Sequence, residues 1–335
     1  MKTLIYFEGA DAISNSGIGR AMSHQMRACQ LSGVDFTINA KDTDYTIAHI
    51  NTLWWKSGRL LKQCKKKGIP VIVHGHSTYE DFRRSFACWR LIEPIFDHRI
   101  RWMYSRADLI ITPTPYSRDL IKGYGLCQNV IDISNGIDLE EYRPNKEDQE
   151  KFLSEFHLTR EDKFVMGVGF LFERKGLQSF IEVARKFPDV KFIWFGALHP
   201  LITNAKVKKW IRHKPDNVIM AGYRKGAVIH GAYQLAQAMF FPSLEETEGI
   251  VVLEALASRT PLVVRDIGVY RDWLTDGVNC HKGSTDEEFA SILSSLIQNG
   301  EDPKILEAGF QEVSKKTLDK VGLELKAAYE SLSKN

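Results

Sequence analysis

Short apolar, β-branched runs recur along this chain with helix-length segments between them, and that alternation constrains the fold more than any other feature. In the first half, runs at 2–7, 34–39, 45–50, 70–74, 108–112 and 130–133 predict strands. In the second half, 163–169, 190–195, 217–221, 238–241, 261–264 and 278–281 do the same. Helical spacing fits between them, as at 18–32, 57–67, 116–124, 176–187 and 249–258. A strand that returns through a helix lies parallel to the next strand, so each series predicts a parallel sheet wrapped by helices. Two series predict two doubly wound, Rossmann-like α/β domains, and 335 residues suit two cores better than one.

The joint falls between Ser134 and Lys163, where Ser134-Asn135-Gly136-Ile137-Asp138 offers turn chemistry and a polar Glu/Asp/Lys segment follows. This gives domains of 1–150 and 151–310. The remaining 311–335 have helical spacing, follow the last strand, and can cross back onto the first domain. Open α/β sheets bind ligands at the carboxyl ends of their strands, so the expected site is a cleft where the two sheets face each other.

The net charge of +3 is too small to argue for a nucleic-acid partner, but its distribution is uneven. Residues 51–107 hold twelve Lys/Arg against four Asp/Glu, a local charge of +8 that leaves the rest of the chain at −5. Five scattered cysteines (Cys29, Cys64, Cys88, Cys127 and Cys280) show neither paired nor metal-ligand spacing and read as reduced cytoplasmic thiols. No apolar run reaches the length of a secretory leader or a membrane span.

The strongest local signal is Glu246-Thr247-Glu248-Gly249-Ile250-Val251-Val252-Leu253-Glu254, between the strand at 238–241 and the helix it opens. A glycine at such a turn lets backbone approach a phosphate, and the unpaired N–H groups of the first helical turn suit an anion. Glu246 and Glu254 are placed to accept hydrogen bonds from sugar and ribose hydroxyls; a capped helix with solvated carboxylates is the plain alternative. A second strand-to-helix loop, Gly167-Val168-Gly169-Phe170-Leu171-Phe172-Glu173-Arg174-Lys175-Gly176, carries two cations suited to a diphosphate leaving group, or simply to a solvated surface. In the first domain Val71-Ile72-Val73 leads into His74-Gly75-His76. Either imidazole can bond the donor sugar or orient an acceptor hydroxyl, but a structural histidine is the default reading of each taken alone, reversed for one of them, His74 before His76, only by the family resemblance given below; their spacing would also suit a metal, but no third ligand stands nearby.

Taken together, these loops resemble the retaining glycosyltransferases of the GT-B fold, family 4 type. The resemblance covers most of the chain and is densest from Val165 to Gly277. It rests on Glu246 with Glu254-Ala255, on Lys175-Gly176, on Asn135-Gly136-Ile137-Asp138, and on Gly17-Ile18-Gly19 after the first strand. Asp266-Ile267-Gly268 and Asp276-Gly277-Val278-Asn279 also look like family landmarks. The resemblance implies two such domains facing across a cleft and a nucleotide-sugar substrate, UDP-linked rather than GDP-linked, with no cofactor or metal. It implies that Lys175 meets the donor diphosphate, Glu246 the sugar hydroxyls and Glu254 the ribose. Gly249, Ile250 and Val251 would hold phosphate through their backbone, with Gly169 and Arg174 in the same site. Tyr223 and Arg224 would flank the base, and the Gly17/Gly19 turn would let the diphosphate or the acceptor approach. Two departures stand out: Phe170 occupies the place of the family's usual arginine after Gly169, and Glu248 that of a frequent aromatic.

Two decoys are set aside. Asp42-Thr43-Asp44 precedes a strand rather than closing one and reads as a turn, not a metal site. The Gly17-x-Gly19 turn lacks the third glycine of a dinucleotide fingerprint, Met22 standing there.

For the acceptor, the basic stretch is informative. Arg59, Lys62 and Lys66 share one helical face, with Lys65 and Lys67 beside it and Trp54-Trp55 before it. Then follow Phe82, Arg83, Arg84, Phe86, Trp89, Arg90, Ile95, Phe96, Arg99, Arg101, Trp102 and Arg106. Cations interleaved with aromatics suit an anionic bilayer interface, although a solvated face over core aromatics has the same pattern. The run His74-Gly75-His76-Ser77-Thr78-Tyr79-Glu80-Asp81-Phe82-Arg83 resembles the glycolipid-making members of Gram-positive bacteria. That implies transfer of glucose or galactose to monoglucosyl-diacylglycerol by a protein peripheral to the cytoplasmic face of the membrane. A polysaccharide or lipopolysaccharide precursor as acceptor, and a nucleotide-sugar-binding protein without turnover, remain the alternatives.

Overall fold

The computed structural model describes residues 1–10, 17–85, 87, 89–197 and 203–333. Phe86 and Cys88, named above, lie outside the described residues. The chain divides into two compact units.

Unit one holds Met1–Phe82, Arg90–Asp138 and the chain from Lys316 onward. Its strands are β1 (Lys2–Tyr6), β2 (Asp35–Thr37), β3 (Ile47–Ile50), β4 (Val71–His74), β5 (Leu109–Thr112) and β6 (Val130–Asp132). They form one six-stranded sheet in the order β2-β1-β3-β4-β5-β6, every pair parallel. β3, β4 and β5 are buried at every position, which is why they read as continuous apolar runs rather than alternating ones. The helices α1 (Gly17–Leu31), α2 (Trp55–Lys66), α3 (Tyr79–Phe82), α4 (Trp89–Tyr104) and α5 (Pro115–Gly123) follow in turn; Trp89 itself counts with unit two. Thr114 caps α5 with a full capping box, Ser117 answering its side chain.

Unit two holds Arg83–Trp89 and Leu139–Lys315. Its strands β7 (Phe164–Val168), β8 (Lys191–Phe195), β9 (Val218–Gly222), β10 (Ala238–Phe241), β11 (Leu262–Arg265) and β12 (His281–Gly283) lie in the order β12-β11-β10-β7-β8-β9, again all parallel. The order reverses between β7 and β10, the place on an open parallel sheet where a ligand is expected at the carboxyl ends of the strands. The helices are α6 (Lys146–Phe156), α7 (Leu177–Ala184), α8 (Ala205–Arg212), α9 (Ala227–Leu235), α10 (Ile250–Ala257), α11 (Asp286–Asn299) and α12 (Pro303–Val313). Phe180, Phe192, Trp194, Phe240 and Phe289 fill the core between sheet and helices.

The stretch expected as one helix over 311–335 is two. α12 ends at Val313, and after a single 3₁₀ turn (Ser314–Lys316) α13 (Leu318–Ser333) joins unit one. There Leu318, Val321, Leu325, Ala328 and Tyr329 pack into the same core as Ile5, Ala28, Ile47 and Ile72. The segment Gly136–Ile137 is tied to the start of α13 by Ile137 N–H to Lys316 O (3.0 Å) and Leu318 N–H to Ile137 O (3.1 Å). Gly322 lies so close to α1 that a Cβ there would collide with the carbonyl of Ala28. Substituting Gly322→Leu is expected to destabilise the protein by about 1–3 kcal/mol through overpacking. Urea unfolding followed by far-UV circular dichroism measures this, and an unchanged midpoint would disprove the close packing.

Candidate functional site

The site in unit two is assembled at the reversal of strand order. The loop after β7 begins with Gly169, whose N–H donates to Phe195 O (2.8 Å) and whose carbonyl accepts from Trp194 Nε1 (2.9 Å). One 3₁₀ turn (Glu173–Lys175) follows, and Gly176 ends it with φ +78°. A Cβ at Gly176 would strike the carbonyl of Pro242, just past the end of β10. A residue at this point must therefore be glycine, and the two loops touch backbone to backbone.

That contact sets Lys175 and Arg174 against Ser243–Glu246. Lys175 Nζ donates to Glu246 Oε1 and lies 5.4 Å from the centre of the Phe241 ring. Ser243 Oγ donates to the same Glu246 oxygen at 2.6 Å. Arg174 Nη1 stands 3.6 Å from it and donates to Glu245 O at 3.0 Å. The Arg174 Nε–H donates to Ser85 Oγ (2.8 Å), from the Arg83–Trp89 segment, and Leu244 N–H donates to Arg174 O (2.7 Å). Arg174 and Glu246 are both buried. Burial is the largest influence on the Glu246 carboxyl and pushes it up. The positive charges of Lys175 and Arg174, with the bonds from Lys175 and Ser243, outweigh burial and hold it below its ordinary value.

Three residues on, Gly249 (φ +85°) caps α10, whose first turn carries N–H groups without intrahelical acceptors and no acidic side chain to meet them. Gly249, Ile250 and Val251 are partly exposed there. Glu254, one turn further in, is buried and accepts from Tyr233 Oη at 2.9 Å. Glu248 is fully buried. Unit two thus brings together the cations Lys175 and Arg174, the N-terminus of α10 and the held carboxylates of Glu246 and Glu254, an arrangement that favours a diphosphate bearing hydroxylated groups. Tyr223 and Arg224 stand apart from this cluster, beyond the edge strand β9; Arg224 is bonded to Glu155 and to Tyr223 O.

In unit one, His74 ends β4 and is buried, whereas His76 is half-buried. Their rings stack at 3.8 Å between centroids. His74 Nδ1 lies 3.1 Å from Nε2 of His49 in β3, and His76 Nε2 lies 3.3 Å from Asn51 Oδ1. Gly17 and Gly19 open α1; residues 11–16 before them lie outside the described residues. The Asp42–Asp44 turn is engaged locally, Thr37 and Asn39 bonding Asp42 and Lys2 bonding Asp44.

The basic and aromatic residues fall into two groups. Trp54, Trp55, Arg59, Lys62, Lys65, Lys66, Lys67 and Arg90 belong to unit one, whereas Arg83, Arg84 and Trp89 belong to the segment counted with unit two. Lys65 is paired with Asp108 (2.7 Å), and Lys62, Arg99 and Arg106 all stand over the Trp102 ring. Trp55 is 76% exposed, and α4 turns Leu91 (77%), Ile92 (44%) and Ile95 (66%) outward. Among the described residues no helix is long and apolar enough to cross a membrane.

Sequence reasoning missed His49, Asn51, Ser243, Tyr233 and the outward Leu91–Ile92 pair. His49 had a signal, being polar within an otherwise apolar strand. Ser243 and Tyr233 had none, because their roles depend on which loop lies beside which.

Two family models match in succession: Glycosyltransferase Family 4 over residues 33–141 and Glycosyl transferases group 1 over 148–312. The processive diacylglycerol alpha-glucosyltransferase of Acholeplasma laidlawii is 47% identical over all of this chain and 99% of its own. The alpha-monoglucosyldiacylglycerol synthase of the same organism is 25% identical over 76% of this chain and 67% of its own. Among solved structures, Anabaena HepE in complex with UDP-glucose superposes with a TM-score of 0.77 at 17% identity, covering 99% of this chain and all of that one. A relative of nearly half identity along the whole length, with the two domain models in series on two parallel sheets, fixes the family: the chain belongs to the family 4 glycosyltransferases of the GT-B fold.

Proposed function

We propose that this enzyme transfers glucose from UDP-glucose to a diacylglycerol glycolipid at an anionic membrane surface, without a metal and with retention of the anomeric configuration. The observation that carries the reading is the pairing of half-buried Lys175 with buried Glu246 in the loop that leads into α10. Cleaving a sugar–diphosphate bond leaves growing negative charge on the diphosphate. Lys175 and the first-turn amides of Gly249, Ile250 and Val251 are suited to stabilise it. Arg174 is held by Ser85 and Glu245, so its part is to keep Glu246 ionised and in place. Glu246 then accepts from hydroxyls of the sugar, and Glu254, held by Tyr233, from those of the ribose. Tyr223 and Arg224 flank the base.

Glu246 and Glu254 are both engaged by neighbours, which disfavours either as a covalent nucleophile. Retention then follows if the acceptor oxygen attacks from the face the diphosphate leaves. The new C–O bond forms as the sugar–phosphate bond breaks, and the acceptor proton passes to the departing phosphate oxygen. His76, the more exposed of the stacked pair, contributes a neutral imidazole to a sugar hydroxyl.

Glucose is preferred to galactose because the whole-length relative is a glucosyltransferase. The acceptor class is supported by the same relative and by the glycolipid synthases at lower identity. Peripheral attachment to the inner face of the membrane is supported by the cations of α2 and the outward apolar residues of α4.

The decisive experiment incubates UDP-glucose or UDP-galactose with monoglucosyl-diacylglycerol in anionic vesicles, with a chelator present, and reads the lipid product by mass spectrometry. A dihexosyl lipid is expected; product only on adding a divalent cation would refute metal independence. UDP release with no lipid product would move the acceptor to a polysaccharide or another glycan. Lys175→Ala and Glu246→Ala are each expected to lower kcat/KM by roughly 10²–10³, and undiminished product from either would remove that residue from the site. Reversing Arg59, Lys62 and Lys66 to Glu should cost about 1 kcal/mol or more per site in binding anionic vesicles. Vesicle sedimentation measures this, and unaltered partition would rule the α2 face out.

A further inference from the structure

Unit one contains a buried chain of polar side chains that the reading above does not use. His49 Nδ1 lies 2.8 Å from Gln25 Nε2 and 2.9 Å from Tyr329 Oη, and its Nε2 lies 3.1 Å from His74 Nδ1. Gln25 comes from α1, Tyr329 from α13, His49 from β3 and His74 from β4. Two atoms at the ends of this chain, Gln25 Oε1 and His74 Nε2, have no hydrogen-bond partner among the described residues. Both residues line the same cavity of about 10 Å³, together with Ser134, Asn135 and His76.

The directions of these bonds are coupled. An amide nitrogen only donates, so His49 Nδ1 accepts from Gln25. A neutral His49 then carries its proton on Nε2 and donates it to His74 Nδ1, which leaves the His74 proton on Nε2. Neither ring can change tautomer without the other. Burial disfavours the charged form throughout, holding His49 and His76 down to about 3 and His74 well below its ordinary value. With the charge state fixed, the tautomer is what the surroundings select. The cavity has room for one water, which would accept from His74 Nε2–H and donate to Gln25 Oε1, closing a ring in which every bond runs in the same sense.

We propose that Gln25, His49 and Tyr329 are positioning residues that lock His74 as the Nε2–H tautomer and thereby orient the imidazole of His76 stacked upon it. The C-terminal helix, through Tyr329, is then part of the functional apparatus of unit one and not only its packing. The kinetic consequence rests on the reading of His76 as a sugar contact; the tautomer does not.

The test uses the full-length enzyme labelled with nitrogen-15 histidine, whose imidazole shifts distinguish protonated from bare ring nitrogens. His49 and His74 are assigned by the signals lost in His49→Gln and His74→Gln. In the unsubstituted enzyme both rings should carry the proton on Nε2 at neutral pH; a proton on Nδ1 of either would overturn the proposal without recourse to any variant. Gln25→Glu places an acceptor-only carboxylate against His49 and should move both protons to Nδ1. With that reversal kcat should fall roughly 10- to 100-fold, the range seen when a partner that orients a functional histidine is removed. UDP affinity, assigned above to unit two, should stay unchanged, and an unaltered far-UV circular dichroism spectrum and urea midpoint show that the variant is folded. A folded Gln25→Glu enzyme with unmoved tautomers, or with reversed tautomers and full kcat, would overturn the proposal. An enzyme that makes no product with any donor refutes the function proposed above, while the shifts still decide the tautomer.

Discussion

Where Gly176 meets Pro242, two loops from strands seventy residues apart in sequence press backbone against backbone, and the donor-type site of unit two depends on that contact. Any side chain at Gly176 would hold the loops apart. With them together, buried Arg174, Ser243 and Glu246 and half-buried Lys175 fall into one cluster. Such a cluster is stable only when complete. Removing one member of a buried ion pair strands the other's charge, at a cost of about 3–5 kcal/mol. The same completeness gives the site its character, because the neighbouring cations and hydrogen bonds outweigh burial and hold the Glu246 carboxyl below its ordinary value.

The sheet supplies the reason these loops are neighbours at all. In unit two, β7 and β10 are adjacent although two strands and their helices intervene in sequence. The chain winds outward in one direction from β7 and returns to wind in the other from β10. Right-handed crossovers put the helices of the two windings on opposite faces of the sheet, so the reversal falls between the carboxyl ends of those two strands. The glycine-bearing loop and the acidic loop occupy those ends.

Unit one is completed by a helix from the far end of the chain. α13 lies against α1 closely enough to exclude a Cβ at Gly322, and it carries Tyr329 to His49. Three imidazoles thereby stand in a row, His49 and His74 buried and His76 half-buried, each with a polar contact. The exposed side of the same unit has a different character. Cations stand over Trp102, and toward the start of the same helix Leu91, Ile92 and Ile95 are exposed, so this helix carries both a charged and an apolar component.

The strands were legible because buried parallel strands must be apolar along their length, and all but the last were placed to within two residues; that one, expected at 278–281, lies at His281–Gly283. The site loops were legible as Lys175-Gly176 and as Glu246 with Glu254, because glycine and charge at a strand-to-helix turn have few other uses. That His74 is buried and His76 more open was not legible, since side chains on alternate positions of an ending strand read alike. Nor was the division of the basic stretch, or the break between α12 and α13. The sequence by itself determined the two parallel sheets, and the glycines and charges of the loops after β7 and β10, through local pattern and the stereochemistry of glycine. Which groups hold which, Arg174 bracing Glu246 and Tyr329 reaching His49, was decided only by tertiary structure, because those bonds join segments whose proximity comes from packing and leaves no trace in local spacing.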